Sequence, residues 1–248
     1  MIAAVTRTEL QVPSLLHNDP AMRVLLAAVR RERSESSGTN PLSVEAITLL
    51  SAGWAHRVDH LLYDYLRSVA PEHPAVVPLG ERADAATRAH LRSIAALNEA
   101  TGVLSGAGVA SIVLKGPVLA ACQRAVDPKS SVRPYGDLDL LVKGSDIGAA
   151  ADALCAEKAQ LFPVDIFPYR WRFAFEAGHA EIPFTLPLGV SLDLHWHLCS
   201  RPAMRRVWRV DTAELIGRAE PVAFANGMAN VLQREDNLVV RRCISYLV

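Results

Sequence analysis

No Cys-x-x-Cys pair occurs among the four cysteines of this chain, Cys122, Cys155, Cys199 and Cys243. Their spacing excludes a zinc ribbon and a thioredoxin-type redox motif. Scattered thiols of this kind fit a reduced, cytoplasmic protein. An excess of one charge is also missing. Lys and Arg number 26, as do Asp and Glu, for a formal net charge of zero. There is therefore no broad basic field to draw in a long nucleic acid. No apolar run reaches the length of a membrane span. The opening Met1-Ile2-Ala3-Ala4-Val5-Thr6-Arg7 is too short for a secretory leader and lacks its charge order. Internal repeats and low-complexity tracts are absent. What is present is 248 residues, half of them hydrophobic, enough for one large domain or two modest ones with a sizeable core. The expectation is a soluble cytoplasmic protein with no membrane association.

The first hundred residues read as helical. Val24, Leu25, Ala28 and Val29 form a helical stripe between Ala21 and Arg33. Asn40-Pro41 has the chemistry of a helix start and predicts a helix or helix pair to about Val69, interrupted near Gly53. Pro71, Pro74 and Pro78 mark a connection, and a long helix is expected from about Gly80 to Ser105. Gly106-Ala107-Gly108 ends that helix, and the texture changes. Val109 to Leu114 reads as a buried strand, Pro117 to Ala125 as a short helix and Leu138 to Val142 as a second strand. A helix follows over Ile147 to about Lys158, with Ser145 as its cap. The stretch punctuated by Pro163, Pro168, Pro183 and Pro187 reads as strands and turns. Val190 to Leu198 is a further strand. Beyond Asp211 the pattern gives a short helix, a strand near Val222 to Phe224 and a final helix from about Arg234. The organisation expected is a helical region over 1–105, an α/β core over 106–218, and a C-terminal segment over 219–248 that is helical and cut short.

The strongest chemical signal is Tyr135-Gly136-Asp137-Leu138-Asp139-Leu140-Leu141-Val142. Side chains alternate along a strand, so Asp137 and Asp139 share one face and Leu138 and Leu140 the other. Two carboxylates that close repel each other unless a cation lies between them, and hard divalent cations take oxygen ligands. The alternative is a pair of solvated acids on an edge strand. The apolar flanks favour the metal, because burying two uncompensated charges is costly. In Leu192-Asp193-Leu194-His195-Trp196-His197, Asp193, His195 and His197 line one face. Asp193 could be a third carboxylate and accept a proton from an attacking hydroxyl. A strand with one wet face shows the same alternation, and the two histidines could join Asp193 around zinc. Lys115-Gly116 follows a strand and precedes a helix, where a phosphate would be favoured. It could equally be a plain turn, and it is not a Walker A loop. Arg133 could contact phosphate or cap its loop. Of two basic clusters, the one at Arg30-Arg31-Glu32-Arg33 reads as a solvated helix face. The other, at Arg201, Arg205, Arg206 and Arg209, could face a polyanion.

In order along the chain, Leu114-Lys115-Gly116, Arg133 through Val142, and Asp193 through Trp196 resemble the polymerase-β-like nucleotidyltransferase superfamily. The closer match is its branch of uncharacterised nucleotidyltransferases, with a Lys-Gly turn, an Arg before the acidic pair and an Asp-Leu-His-Trp strand. The resemblance implies an α/β (α+β) fold in which a helical N-terminal region precedes a mixed sheet flanked by helices. It implies two Mg2+ ions held by Asp137, Asp139 and Asp193, with a nucleoside triphosphate as substrate; Lys115, Gly116 and Arg133 are the residues expected to meet its phosphates. The implied reaction moves a nucleotidyl group from the triphosphate to an acceptor with release of pyrophosphate. Neutral net charge favours a small molecule or a protein side chain as acceptor over a long nucleic acid. Pro117 follows Gly116 where the broad superfamily has Gly-Ser, so Lys115 would replace the serine contact. That altered turn motivates a second expectation, a non-catalytic binding or partner module on the same fold. A third is a metal phosphohydrolase using Asp193, His195 and His197.

Overall fold

The computed structural model describes residues 19–30, 40–161, 170–199, 202–207, 209–224 and 227–238. The described residues form two compact units that divide between Ala85 and Ala86, with Lys129–Arg133 joining the first. Arg31, Glu32, Arg33, Pro163, Pro168, Arg201 and Cys243, singled out above, lie outside the described residues.

The first unit is helical. Helix α1 is Pro20–Arg30. Asp19 caps it, its Oδ1 accepting from the Ala21 amide at 2.8 Å, the side-chain cap that a first turn lacks by itself. Asn40 is a cap as expected, but what it starts is the 3-10 turn Pro41–Ser43, and helix α2 begins at Ala46 and ends at Ala55. Helix α3 is Asp59–Val69. The break expected near Gly53 falls a few residues later, where Arg57 adopts φ 55°. Gly53 lies inside α2, and a Cβ there would sit 2.7 Å from Asp59 Oδ1. Its role is close approach between α2 and the start of α3. Val24, Leu25, Leu49, Leu62, Leu66 and Leu79 fill the core, each worth roughly 1.5–3 kcal/mol on burial. Asp64 ties the Lys129–Arg133 segment to this unit, accepting from the Ser131 amide at 2.8 Å and its hydroxyl at 2.7 Å.

Helix α4, Val76–Gly106, runs through the division between the units. Pro78 is in its first turn, where a missing N–H costs no helix bond. The helix therefore starts before the point that three prolines suggested.

The second unit is built on a seven-stranded sheet in the order β3-β4-β5-β2-β1-β7-β6. The strands are β1 Ser111–Val113, β2 Asp137–Val142, β3 Gln160–Leu161, β4 Glu181–Leu186, β5 Val190–His195, β6 Glu220–Phe224 and β7 Gly227–Val231. Pairings β2–β5 and β1–β7 are parallel and the others antiparallel. The mixed sheet flanked by helices is thus the architecture expected from the sequence. Between the strands run α5 Lys115–Val126, α6 Ile147–Ala156, α7 Arg170–Glu176, α8 Pro202–Val207 and α9 Thr212–Gly217. Asp211 caps α9 by accepting from the Ala213 and Glu214 amides. Helix α7 stands where only strands and turns were expected. Pro183 is tolerated inside β4 because β3 pairs only with Thr185 and Phe184, which leaves β4 one neighbour at Pro183.

The sheet has an apolar layer on each face. Leu138, Leu140, Val142, Leu192 and Leu194 pack with Leu97 and Leu104 of α4 and Ile147 and Leu154 of α6. On the other face Ile112, Leu114 and Leu141 pack with Leu215 of α9 and Leu232. Asp137, Asp139 and Leu141 share that second face by alternation. The carboxylates therefore sit beside, rather than within, the larger core.

Candidate functional site

Strand register builds the site. Asp139 is the Cα partner of Asp193 across β2–β5, and Leu141 is the partner of His195. Across β4–β5, Glu181 is the partner of His195 and Pro183 of Asp193. Partners across a ladder project to the same side of the sheet. Asp139, Asp193, His195 and Glu181 therefore share one face over three adjacent strands. Asp137 stands at the exposed start of β2, while Asp139, two residues on, is 2% exposed.

Lys115 reaches this face from the fourth element. The Leu114 amide donates to the Asp139 carbonyl at 2.9 Å, which extends the β1–β2 pairing by one residue. Helix α5 starts at the next residue, and Lys115 Nζ lies 3.0 Å from Asp139 Oδ1. Gly116 is in the first turn of α5 and not in a loop. A Cβ there would lie 2.8 Å from Tyr135 Cδ2, so the Tyr135 ring packs directly on the helix start. The Tyr135 hydroxyl in turn lies 2.8 Å from His90 Nδ1 of α4, and burial pushes the phenol up to about 12.

His195 is nearly enclosed between two carboxylates. Its Nε2 is 2.9 Å from Asp139 Oδ1 and its Nδ1 is 3.0 Å from Glu181 Oε2. Burial alone would push the imidazole down. The hydrogen bonds and charges of Asp139 and Glu181 outweigh burial and hold it up at about 9. For Asp139 burial is again the largest influence, upward. The His195 hydrogen bond and charge, with those of Lys115, outweigh it and hold the carboxyl below its usual range. The His195 hydrogen bond likewise lowers Glu181. Asp193 goes the other way. Burial raises its carboxyl first, and Glu181, Asp137 and Asp139 add to the rise against the opposing charge of His195. Asp139, Asp193 and His195 each bring a ligand-capable atom within 4.8 Å of the others, a group that could hold a metal ion.

The structure thus brings together Lys115, Asp137, Asp139 and Asp193 in the second unit. Arg133 belongs to the first unit, where it is exposed and its positive charge acts on His60. His197 lies past the end of β5, and its Nδ1 accepts from the Cys199 amide at 3.1 Å, a local turn contact. Arg205 donates to the Cys199 carbonyl at 2.7 Å. Glu181 was not singled out from the sequence. The available signal was the alternation Ile182, Phe184, Leu186, which turns Glu181 to the face opposite the core.

Carboxylates gathered on neighbouring strands of a mixed sheet, with a lysine at an adjoining helix start, form a site suited to a cation and a phosphorylated ligand. Residues 43–243 match the family described as uncharacterised nucleotidyltransferase, and the chain belongs to that family. No curated protein matches the chain. Among the described residues, no helix is long and apolar enough to cross a membrane.

Proposed function

We propose that this protein is a magnesium-dependent nucleotidyltransferase that moves a nucleoside monophosphate group from a nucleoside triphosphate to an acceptor and releases pyrophosphate. The observation that carries this reading is a surplus of negative charge. Asp137, Asp139 and Glu181 all act on Asp193, and among the described residues Lys115 and His195 are the cations that act on these carboxylates. Four carboxylates against two cations leave a surplus of two negative charges among these side chains, and Glu181, Asp137 and Asp139 add to the rise that burial first imposes on Asp193. Hard oxygen donors with that charge fit Mg2+.

Asp137, Asp139 and Asp193 would hold the two ions. When bound, magnesium supplies charge neutralisation at the triphosphate and activation of the acceptor hydroxyl. Asp193, the register partner of Asp139, would receive the acceptor's proton. Lys115, half-exposed at the first turn of α5, can turn its ammonium to a phosphate, and the unpaired amides of that turn add partial positive charge. Pro117 removes one of those amides, which shifts the phosphate contact toward Lys115. The acceptor is best sought among small molecules and protein side chains, since the neutral chain has no broad basic field.

Calorimetric titration with each nucleoside triphosphate, with and without Mg2+, tests the reading. Binding that requires Mg2+ and is lost in the double variant Asp137→Asn/Asp139→Asn is the expected result. A folded wild type that binds no triphosphate would overturn it in favour of a non-catalytic module on the same fold.

A further inference from the structure

His195 belongs to the metal-capable group, yet both of its ring nitrogens are already engaged. Nε2 faces Asp139 Oδ1 at 2.9 Å and Nδ1 faces Glu181 Oε2 at 3.0 Å. A ring nitrogen whose hydrogen is directed at a carboxylate has no lone pair to give a cation. Both hydrogen bonds to the Asp139 carboxylate, from His195 and from Lys115, fall on Oδ1. That oxygen is held from two directions, and Oδ2 is the one left for a cation. The elements behind these contacts are rigid. Glu181 and His195 are register partners across β4–β5, and Asp139 and Asp193 across β2–β5. The ring is therefore fixed at one end by the strand beyond it and presses on the catalytic strand with the other.

Building on the metal-dependent reading above, we infer that His195 is a positioning residue and not a metal ligand. Glu181 aims its ring, and the ring fixes Asp139 so that Oδ2 is presented toward Asp193. The ligand set is then all oxygen, the donor set that suits hard cations such as Mg2+ and Mn2+. The same arrangement in metal sites, where an outer partner orients a ligand, is worth about 10–100-fold in metal affinity.

Mn2+ alone is the probe, titrated into the full chain and followed by electron paramagnetic resonance. The bound ion is expected to show no nitrogen coupling from a coordinated imidazole. Two neutral variants then isolate the hydrogen bond. His195→Gln and His195→Leu remove the same ring and the same charge, but only glutamine keeps an N–H that can reach Asp139. The leucine variant should bind Mn2+ roughly tenfold more weakly than the glutamine variant. Nitrogen coupling in the wild type overturns the inference and leaves the metal-dependent reading standing, and this readout needs no variant to fold. Equal Mn2+ affinity in two folded variants overturns it as well. A wild type that binds no Mn2+ overturns the metal-dependent reading, and the inference with it.

Discussion

At the scale of the residue, Asp139 is the hinge of the site's electrostatics. One of its oxygens accepts from an ammonium and an imidazole, and the side chain is almost fully enclosed. Asp139→Asn is nearly isosteric and keeps an oxygen to accept both hydrogen bonds, so the chain should still fold. It removes the negative charge that His195 requires and that the proposed cation would need. Turnover, read as pyrophosphate release, should fall by at least about 100-fold, the scale seen when one preorganised electrostatic partner is lost. The melting temperature should fall too, because His195 loses the charge beneath it. Wild-type turnover in this variant would show that the chemistry lies elsewhere.

At the scale of the element, the start of α5 is held by contact between Gly116 and the Tyr135 ring. Gly116→Ala sets two effects against each other. Alanine favours a helix by about 1 kcal/mol over glycine, but its Cβ would meet Tyr135 Cδ2 at 2.8 Å and Cγ at 3.0 Å. Overpacking of that kind costs about 1–3 kcal/mol. The ring is itself held through its hydroxyl at His90, so the clash should win and the variant should melt below wild type. A higher melting temperature would mean that the ring yields freely.

The elements also show what was legible before folding. Strand β2 and its two faces could be read because alternation is a local property, and so could the end of α4 at Gly106. The paired register of Asp139 with Asp193 could not, since it depends on which strand β2 takes as neighbour. Glu181 escaped for the same reason, because nothing near it in sequence names His195 as its partner. Helix α7 was missed because its flanking prolines suggested turns, and β7 because residues Gly227–Val231 show little apolar alternation.

At the scale of the whole molecule, acid acts on the helical unit through one buried histidine. His60 of α3 is held down at about 4, by burial first and then by the charge of Arg133. An unfolded histidine titrates near 6.5. Between those values the unfolded chain binds the extra proton, so stability falls as pH drops from about 6.5 toward 4. The effect is worth up to roughly 3 kcal/mol, and it acts on the helical unit. Denaturation followed across that window should show declining stability, and His60→Leu should flatten the slope. An unchanged slope would place the acid sensitivity in other groups.

Strand β1, only three residues long, has β2 on one side and β7 on the other. Its partner in β2 is supplied within thirty-one positions, Ser111 with Val142, but its partner in β7 is Asn230, opposite Ile112. As the chain is synthesised, that open edge of β1 has to wait for more than a hundred further residues before it is paired. Asp139 likewise waits for His195. A nascent chain halted before Gly227 would carry an exposed strand edge, a template for pairing with other chains. Folding of this unit should therefore be slow and late, and its expression should depend on how well the growing chain is shielded from its neighbours.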